Sequence, residues 1–352
     1  MPNRDRLEWA RECTPKCVRR AIGALAIGGL SWGALAAGAL AGATALAILG
    51  LRHLPAPPAY HRLPQAANGR VTEIPVRPGE PWAVQILGDV QDGFLYLPEL
   101  LARGAASGSR AVVFSGDLAR GAGGDHLWLL TRQLEAHPSA TPIFAVPGNH
   151  DIVTAESRAN FERCFGPTEF EVHIGDAWLV GLDSSAGPRP ESTARVRRVL
   201  ARAHASGDRV VVIRHHSPLS SGDPAQVSDE SAALRSELRD PAVALVISGH
   251  AHSWDYEQRD NVRFVIAPPS GDRSHGQGQT VVSSILLRWR DGELTLEHDR
   301  AQRSDLVELR TAYEHVVYGH VLPSLARQLA LLSPARPTRT APAAIVVTRE
   351  AP

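Results

Sequence analysis

The sequence contains little cysteine and no excess of charge of either sign. Its three cysteines, Cys13, Cys17 and Cys164, are too few for a disulfide framework. Lys+Arg and Asp+Glu both number 37, so the formal net charge is +0. This balance indicates neither a basic field for nucleic acid nor an acidic solvating tail. No stripe of aromatic and basic residues is visible, so no nucleic-acid partner is expected.

Charged residues are also absent from one long segment, residues 21–51. A helix of about 20 apolar residues crosses a bilayer, so this segment is long enough to be a transmembrane helix even when tilted. It is also longer than the apolar core of a cleaved signal peptide, which has roughly 7–15 residues. Its small residues still offer a cleavage site, which leaves a cleaved and secreted protein as the alternative.

The charges that flank this segment predict its orientation. Six lysine and arginine residues precede it, whereas three arginines follow it within a similar distance. The positive-inside rule therefore places residues 1–20 in the cytoplasm and the main domain outside it. We expect a single-pass cell-membrane protein that contacts the lipid bilayer through residues 21–51. The sequence indicates no particular oligomeric state.

The rest of the chain divides by composition. Residues 52–81 are rich in proline and polar residues and are predicted to be a linker. From residue 82 to residue 300, apolar runs of strand length alternate with segments of helical period, which predicts the main domain. Residues 301–333 are predicted to be a C-terminal helical extension that packs back on the domain. Residues 334–352 are predicted to be a disordered tail.

The order of apolar runs within residues 82–300 predicts the architecture. Strands are predicted at 82–87, 110–114, 142–146, 170–174, 177–182, 209–213, 243–247, 262–266, 281–289 and 293–297. Helices are predicted at 94–106, 126–136, 155–165 and 192–205. Gly175-Asp176 and Asp291-Gly292 are predicted to be hairpin turns. This mixture predicts an α/β sandwich of mixed sheets with one continuous core.

Five of the predicted strands end in residues that can bind a metal. The run Pro142–Val146, for example, leads to Gly148-Asn149-His150-Asp151. The other four endings are Gly88-Asp89-Val90-Gln91, Ser115-Gly116-Asp117, Arg214-His215-His216 and Ser248-Gly249-His250-Ala251-His252. In four of the five, glycine directly precedes the first metal-binding residue and permits a sharp turn. Ligands gather beyond the carboxyl ends of strands in open α/β sheets, so these endings are expected to converge.

The donor types in these endings restrict the choice of metal. Carboxylate, amide oxygen and imidazole suit manganese, iron or zinc, and the absence of thiolates argues against copper(I) and iron–sulfur clusters. The donors are too numerous for one ion. The sequence therefore predicts two ions that share one bridging carboxylate. The predicted donors are Asp89, Asp117, Asn149, His215, His250 and His252.

These motifs, in this order, resemble those of the calcineurin-like metallophosphoesterase superfamily from Trp82 to Arg300. Phe165-Gly166-Pro167 and Leu182-Asp183-Ser184 are similar to the middle segment of that family. The resemblance implies a four-layer α/β/β/α sandwich and two divalent or trivalent metal ions (Mn, Fe or Zn). It also implies a phosphate-ester substrate, either a monoester or a diester, which is hydrolysed through a hydroxide that bridges the two ions.

The resemblance further implies a role for each matching residue. The first ion is expected to be held by Asp89, Asp117 and His252. The second ion is expected to be held by Asp117, Asn149, His215 and His250, which makes Asp117 the bridge. His150 is expected to be the general acid that protonates the leaving oxygen, with Asp151 orienting its ring. Of the two adjacent histidines His215 and His216, the resemblance favours His215 as the ligand.

One position departs from the family pattern. Most members have histidine where this chain has Gln91, whose neutral amide oxygen is a weaker ligand than imidazole. We expect Gln91 to be a weak ligand of the first ion. The alternative is a catalytically weak domain that keeps the fold and acts as a binding scaffold. The polar loops 217–228 and 268–279 are expected to determine the substrate, which the sequence does not name.

Overall fold

The computed structural model describes residues 60–120, 124–137, 139–185, 189–218, 229–259, 262–271, 281–303 and 307. The predicted cytoplasmic segment 1–20, the predicted transmembrane helix 21–51 and the predicted tail 334–352 lie outside these residues. So does most of the predicted extension 301–333. Among the described residues, no helix combines the length and the apolar character needed to cross a membrane.

The described chain alternates strands with helices. The strands are β1 Glu73–Ile74, β2 Trp82–Leu87, β3 Ser109–Ser115, β4 Ile143–Val146, β5 Phe170–Ile174, β6 Ala177–Leu182, β7 Arg209–Arg214, β8 Val243–Ser248, β9 Asp255–Arg259, β10 Val262–Ile266, β11 Val281–Arg290 and β12 Glu293–Gln302. The helices are α1 Leu97–Ala106, α2 Gly124–Ala136, α3 Ala155–Phe165, α4 Pro190–Ser206 and α5 Asp229–Glu237, and a 3-10 helix, Gln91–Tyr96, precedes α1.

These strands form two mixed sheets. One sheet has five strands in the order β12-β11-β2-β3-β4, in which β2, β3 and β4 are parallel to one another. The other has seven strands in the order β1-β5-β6-β7-β8-β10-β9, in which β6, β7, β8 and β10 are parallel. The predicted hairpin at Gly175-Asp176 is confirmed, since β5 and β6 pair antiparallel with Ile174 opposite Ala177. Both sheets are mixed, as the sequence predicts.

Three clusters of buried apolar side chains separate four layers. One cluster packs α1 and α3 on the five-stranded sheet and includes Leu100, Phe114 and Phe161. A second lies between the two sheets and includes Ile86 and Ile213. A third packs α4 and α5 on the seven-stranded sheet. Because apolar side chains alternate along strands that are covered on both faces, each central strand contributes to two clusters.

The folded domain begins before Trp82. Leu63 and Asn68 are each 0% exposed, and β1 pairs with β5 in parallel. The Asn68 side chain donates to the carbonyl of Ala145 at 2.7 Å and accepts from its amide at 3.0 Å. It thereby provides hydrogen-bond partners for backbone groups on the outer edge of β4, the last strand of its sheet. The prediction of a linker over residues 52–81 is therefore wrong for the part from residue 60 onward.

The sequence also fails to predict two elements late in the domain. The strand β9, with the sequence Asp-Tyr-Glu-Gln-Arg, is an exposed edge strand that pairs antiparallel with β10. It lacks the apolar alternation by which a half-buried strand is recognised. The helix α5 is short and follows a polar stretch, so its sequence gives a weak helical period. Neither element supplies a predicted metal ligand.

Candidate metal centre

The five predicted ligand motifs follow strands that end at one rim of the sandwich. In the five-stranded sheet, β2, β3 and β4 run parallel and end at Leu87, Ser115 and Val146. In the seven-stranded sheet, β7 and β8 run parallel and end at Arg214 and Ser248. The carboxyl ends of parallel strands meet at the same edge of a sheet, and the apolar layer between the two sheets holds their edges together.

Asp117 lies at the centre of this rim and is 1% exposed. Its Oδ2 is 3.2 Å from Nε2 of His215, and its Oδ1 accepts the backbone N–H of His150 at 2.9 Å. The same Nε2 of His215 is 3.1 Å from Oδ1 of Asn149. Carboxylate, imidazole and amide donors from three different strand ends therefore converge at one point.

Asp89 lies beside this point and is 0% exposed. Its Oδ1 is 3.1 Å from Nε2 of His252, and its Oδ2 accepts the backbone N–H of His250 at 3.2 Å. One ligand atom from each of Asp89, Asp117 and His215 lies within 4.8 Å of the others. A second group, His215, His216 and His250, meets the same distance limit, so the two groups share His215.

The backbone at this rim has an unusual conformation. Five non-glycine residues have positive φ angles, namely Asp89 at 51°, Gln91 at 40°, Asp117 at 51°, His250 at 71° and His252 at 52°. Such a conformation costs on the order of 1–3 kcal/mol per residue and persists where the surrounding structure enforces it. A side chain at Gly148 would collide with the Asp117 carboxylate, which explains glycine at this position. These loop conformations orient the side chains toward one point.

Backbone contacts fix the orientation of the His215 ring. Its Nδ1 is 3.1 Å from the carbonyl oxygen of Ser115, to which it donates, so Nε2 faces Asp117 and Asn149. Burial lowers the pKa of His215, but the hydrogen bond and charge of Asp117 outweigh it and raise the pKa to about 9. Burial likewise opposes ionisation of Asp117, yet His215 lowers the pKa of that carboxyl below its usual value. A metal must therefore replace a proton at Nε2 of His215.

His216 lies closer to the protein surface than His215. Its ring centroid is 4.8 Å from that of His215 and 4.5 Å from that of His250. Its backbone N–H and its Nδ1 lie 3.0 and 3.2 Å from the hydroxyl oxygen of Ser184. Burial, followed by the charges of its histidine neighbours, lowers the pKa of His216 to about 3. His215 is therefore the histidine that meets the carboxylate and amide donors, and Ser184 is a positioning residue to which the sequence gives no role.

Gln91 is 4% exposed and lies against the shared carboxylate. Its amide nitrogen is 3.4 Å from Oδ2 of Asp117. The side chain therefore lies beside the predicted donor Asp117. Ligation through its amide oxygen stays a prediction.

Asp151 has a different role from the predicted one. Its carboxylate accepts backbone N–H groups of Gly148 at 2.8 Å, Leu118 at 3.2 Å and Ala119 at 3.0 Å. These contacts connect the loop after β4 to the loop after β3, and none involves the His150 ring, so the predicted orienting role is wrong. Burial and then the charge of Asp117 raise the pKa of Asp151 to about 7, against the effect of the three N–H donors.

The His150 side chain lies beside the Asp117 carboxylate at the protein surface. It is 42% exposed, and its Nε2 is 3.9 Å from Oδ2 of Asp117. Its backbone N–H is held by the same carboxylate. A histidine in this position is next to the donor cluster and is accessible to a bound molecule.

The donor set fits a pair of metal ions. Asp89 and Asp117 are two buried carboxylates whose ion pairs within the described part of the chain are with histidines, not with arginine or lysine. Burying two like charges so close together is costly unless a cation compensates them. Hard oxygen donors together with imidazoles suit manganese, iron or zinc.

The sequence was compared with models of known protein families and with curated proteins. Residues 84–254 match the family model described as calcineurin-like phosphoesterase. This range contains all five motifs, so the match supports the predicted resemblance to that family. No curated protein matches the sequence.

Solved structures similar to this chain have low sequence identity. A dimetal phosphatase from Danio rerio has 13% identity and a TM-score of 0.52, over 64% of this chain and 100% of that one. A putative 5'-nucleotidase from Staphylococcus aureus has 15% identity and a TM-score of 0.43, over 66% of this chain and 58% of that one. An archaeal phosphodiesterase has 13% identity and a TM-score of 0.34, over 62% of this chain and 99% of that one. The first likeness shows the fold, and the TM-scores of the other two are too low to compare architectures.

We predict that Asp151→Ala destabilises the domain. The change leaves three buried backbone N–H groups without their acceptor, so the free energy of unfolding should fall by about 3 kcal/mol or more. Urea denaturation measures this loss, and His150→Ala, which removes a half-exposed ring, is the matched control and should change stability little. Equal stabilities of the two variants would contradict the role assigned to Asp151.

Metal binding should release at least one proton per chain near pH 7. The raised pKa of His215 leaves its ring protonated in the metal-free protein, and the metal needs the same nitrogen. The apparent affinity should therefore rise as the pH rises toward about 9. Calorimetry in buffers of different ionisation enthalpy counts the protons released. Binding without proton release would contradict this account of His215.

Proposed function

We propose that this chain is a metal-dependent phosphoric ester hydrolase that acts on a phosphomonoester or a phosphodiester. The observation that carries the proposal is the convergence of two buried carboxylates, an amide and three imidazoles at one rim, with His150 exposed beside them. The family match over residues 84–254 supports the same reaction class. A site that only stabilised the fold would not need this donor set in strained backbone conformations.

The proposed assignment of residues to ions follows the resemblance of the motifs to the family. Asp89, Gln91, Asp117 and His252 would hold the first ion, and Asp117, Asn149, His215 and His250 would hold the second. When bound, a pair of manganese, iron or zinc ions supplies the Lewis acidity that activates water and polarises a phosphoryl oxygen. Asp117 is suited to bridge because its two oxygens are fixed, one by the N–H of His150 and the other against His215.

His150 is proposed to be the general acid. The hydrogen bond from its backbone to Asp117 holds the residue at the edge of the donor cluster, while its ring is 42% exposed and so is accessible to a substrate. An imidazolium there donates a proton to the leaving oxygen as its bond to phosphorus breaks. Such proton transfer contributes typically about 10²–10⁴-fold to the rate.

We predict that the purified full-length chain hydrolyses p-nitrophenyl phosphate or its bis ester when Mn²⁺ is added. Asp117→Ala should abolish turnover. His150→Ala should lower kcat by about 10²–10⁴-fold for phenyl phosphate and by less for p-nitrophenyl phosphate, whose leaving group needs less protonation. His204→Ala is the matched control, since His204 is an exposed histidine on α4 that pairs with Asp240.

The outcomes separate the enzyme from a scaffold. Full activity of Asp117→Ala, or an equal loss for the two esters in His150→Ala, would contradict the assigned roles. Fewer than one metal ion per chain together with no turnover of any ester would favour the alternative, a catalytically weak domain that acts by binding a partner. Metal analysis of the same preparations supplies the stoichiometry.

We further propose that residues 21–51 anchor the chain in the cell membrane with the catalytic domain on the extracytoplasmic side. The uncharged length of this segment and the excess of basic residues before it support the proposal. The full-length protein should stay in the membrane fraction after alkaline carbonate washing, and protease added outside intact cells should degrade its domain. Recovery of a shortened, soluble protein would indicate cleavage and secretion instead.

A further inference from the structure

A second charged cluster lies at the same rim as the metal centre. Asp183 follows β6, whose last residue, Leu182, pairs in parallel register with Arg214 at the end of β7. Neighbouring strands are about 4.8 Å apart, so the residues after β6 lie directly beside His215 and His216. Arg158 belongs to α3, which begins shortly after the loop that carries Asn149 and His150. The cluster and the metal centre therefore share their supporting elements.

Two arginines in this cluster share a single buried carboxylate. The Asp183 side chain is 0% exposed, and its Oδ2 accepts from Nη1 of Arg158 at 2.9 Å and from Nη1 of Arg189 at 2.8 Å. Its Oδ1 accepts from the backbone N–H and the hydroxyl of Ser185 at 3.0 and 2.6 Å. The two arginine side chains are 27% and 33% exposed, so both lie at the protein surface.

The charges of this cluster are not balanced, in contrast to a neighbouring network of ion pairs. Arg195 and Arg202 are matched there by two carboxylates, Glu169 and Glu171. At Asp183, two guanidinium groups face one carboxylate, which leaves one positive charge at the surface. A guanidinium has five N–H donors, and each of these two uses one nitrogen on Asp183. One arginine would suffice to neutralise Asp183.

A series of contacts through Ser184 and His216 links the arginine pair to the metal centre. Ser184, which follows Asp183, holds the backbone and the ring of His216 through its hydroxyl. The His216 ring in turn lies 4.5 Å, centroid to centroid, from that of His250. Ser184 and His216 therefore link Asp183, the residue that holds both arginines, to the predicted metal ligand His250.

We propose that Arg158 and Arg189 form an anion subsite that binds a second phosphate group of the substrate. The inference rests on the proposed function of the metal centre, and it narrows the substrate class to phosphate esters that carry two separated phosphate groups. Guanidinium groups match phosphate oxygens in geometry and charge, and paired arginines are suited to a doubly charged group. Asp183 positions both arginines and leaves their remaining donors available.

Binding measurements with non-hydrolysable probes test this subsite without relying on turnover. The probes are pentylphosphonate and the pentane diphosphonate that carries one phosphonate at each end, titrated into the full-length chain loaded with Mn²⁺. The wild type should bind the diphosphonate about tenfold to hundredfold more tightly than the monophosphonate, since the second group gains charged hydrogen bonds. Arg158→Gln and Arg189→Gln should each reduce this ratio markedly and leave monophosphonate binding unchanged.

Arg195→Gln is the matched control. Arg195 lies on α4 and is 25% exposed, which is similar to Arg158 and Arg189, but its charge is already matched by Glu169 and Glu171. The ratio of the two affinities should therefore not change in this variant. Each single substitution at Arg158 or Arg189 leaves one arginine on Asp183, and thermal denaturation verifies that the variant is folded.

Each outcome bears separately on the subsite and on the proposed function. A diphosphonate preference without hydrolysis of p-nitrophenyl phosphate would support the subsite and overturn the proposed reaction. Hydrolysis without a preference, or a preference that survives in both arginine variants, would overturn the subsite and leave the reaction intact. Absence of binding by either phosphonate, together with no hydrolysis of p-nitrophenyl phosphate, would overturn both.

Discussion

The structure depends most on the need to compensate two buried carboxylates, Asp89 and Asp117. Both are excluded from solvent, and their ion pairs within the described residues are with histidines. Like charges this close are unfavourable in a protein interior unless cations or protons offset them. The hydrogen bond and charge of Asp117 raise the pKa of the His215 ring, and His215 in turn lowers the pKa of Asp117, so His215 carries that proton in the metal-free chain. A pair of metal ions would replace the proton and complete the coordination.

The rest of the domain holds these groups in place. The apolar layer between the sheets brings the ends of β2, β3 and β4 to those of β7 and β8. Close approach of the loops requires glycine at Gly148, and Asp151 connects two of the loops through backbone N–H groups. The strained backbone at five ligand or near-ligand positions shows that the packing determines their orientation. The rim is therefore rigid where donors converge and open where His150 is exposed.

Much of this arrangement follows from local sequence. The strands Trp82–Leu87, Phe170–Ile174 and Val262–Ile266 are confirmed as predicted, because buried strands have apolar runs with sharp boundaries. Their glycine-flanked endings also indicate where donors lie, since ligands gather at the carboxyl ends of parallel strands. The four layers follow from the order of these elements together with the resemblance of the motifs.

Features that depend on contacts between distant residues are not predicted from the sequence. Asn68 looks like a polar residue in a proline-rich linker, yet its amide satisfies the edge of β4. Asp151 looks like the partner of the adjacent histidine, yet it binds backbone groups 32 and 33 residues away. The shared use of Asp183 by Arg158 and Arg189 is likewise invisible before the fold brings α3 beside β6. In each case a side chain contacts a backbone segment or a helix that is not its neighbour in the sequence.

The central claim, that Asp117 joins two metal ions at this rim, is tested most directly by electron paramagnetic resonance of the chain loaded with Mn²⁺. We predict two manganese ions per chain and the spectrum of a magnetically coupled pair, which Asp117→Asn converts to uncoupled or missing manganese. A wild-type spectrum of isolated manganese at one ion per chain would contradict the account.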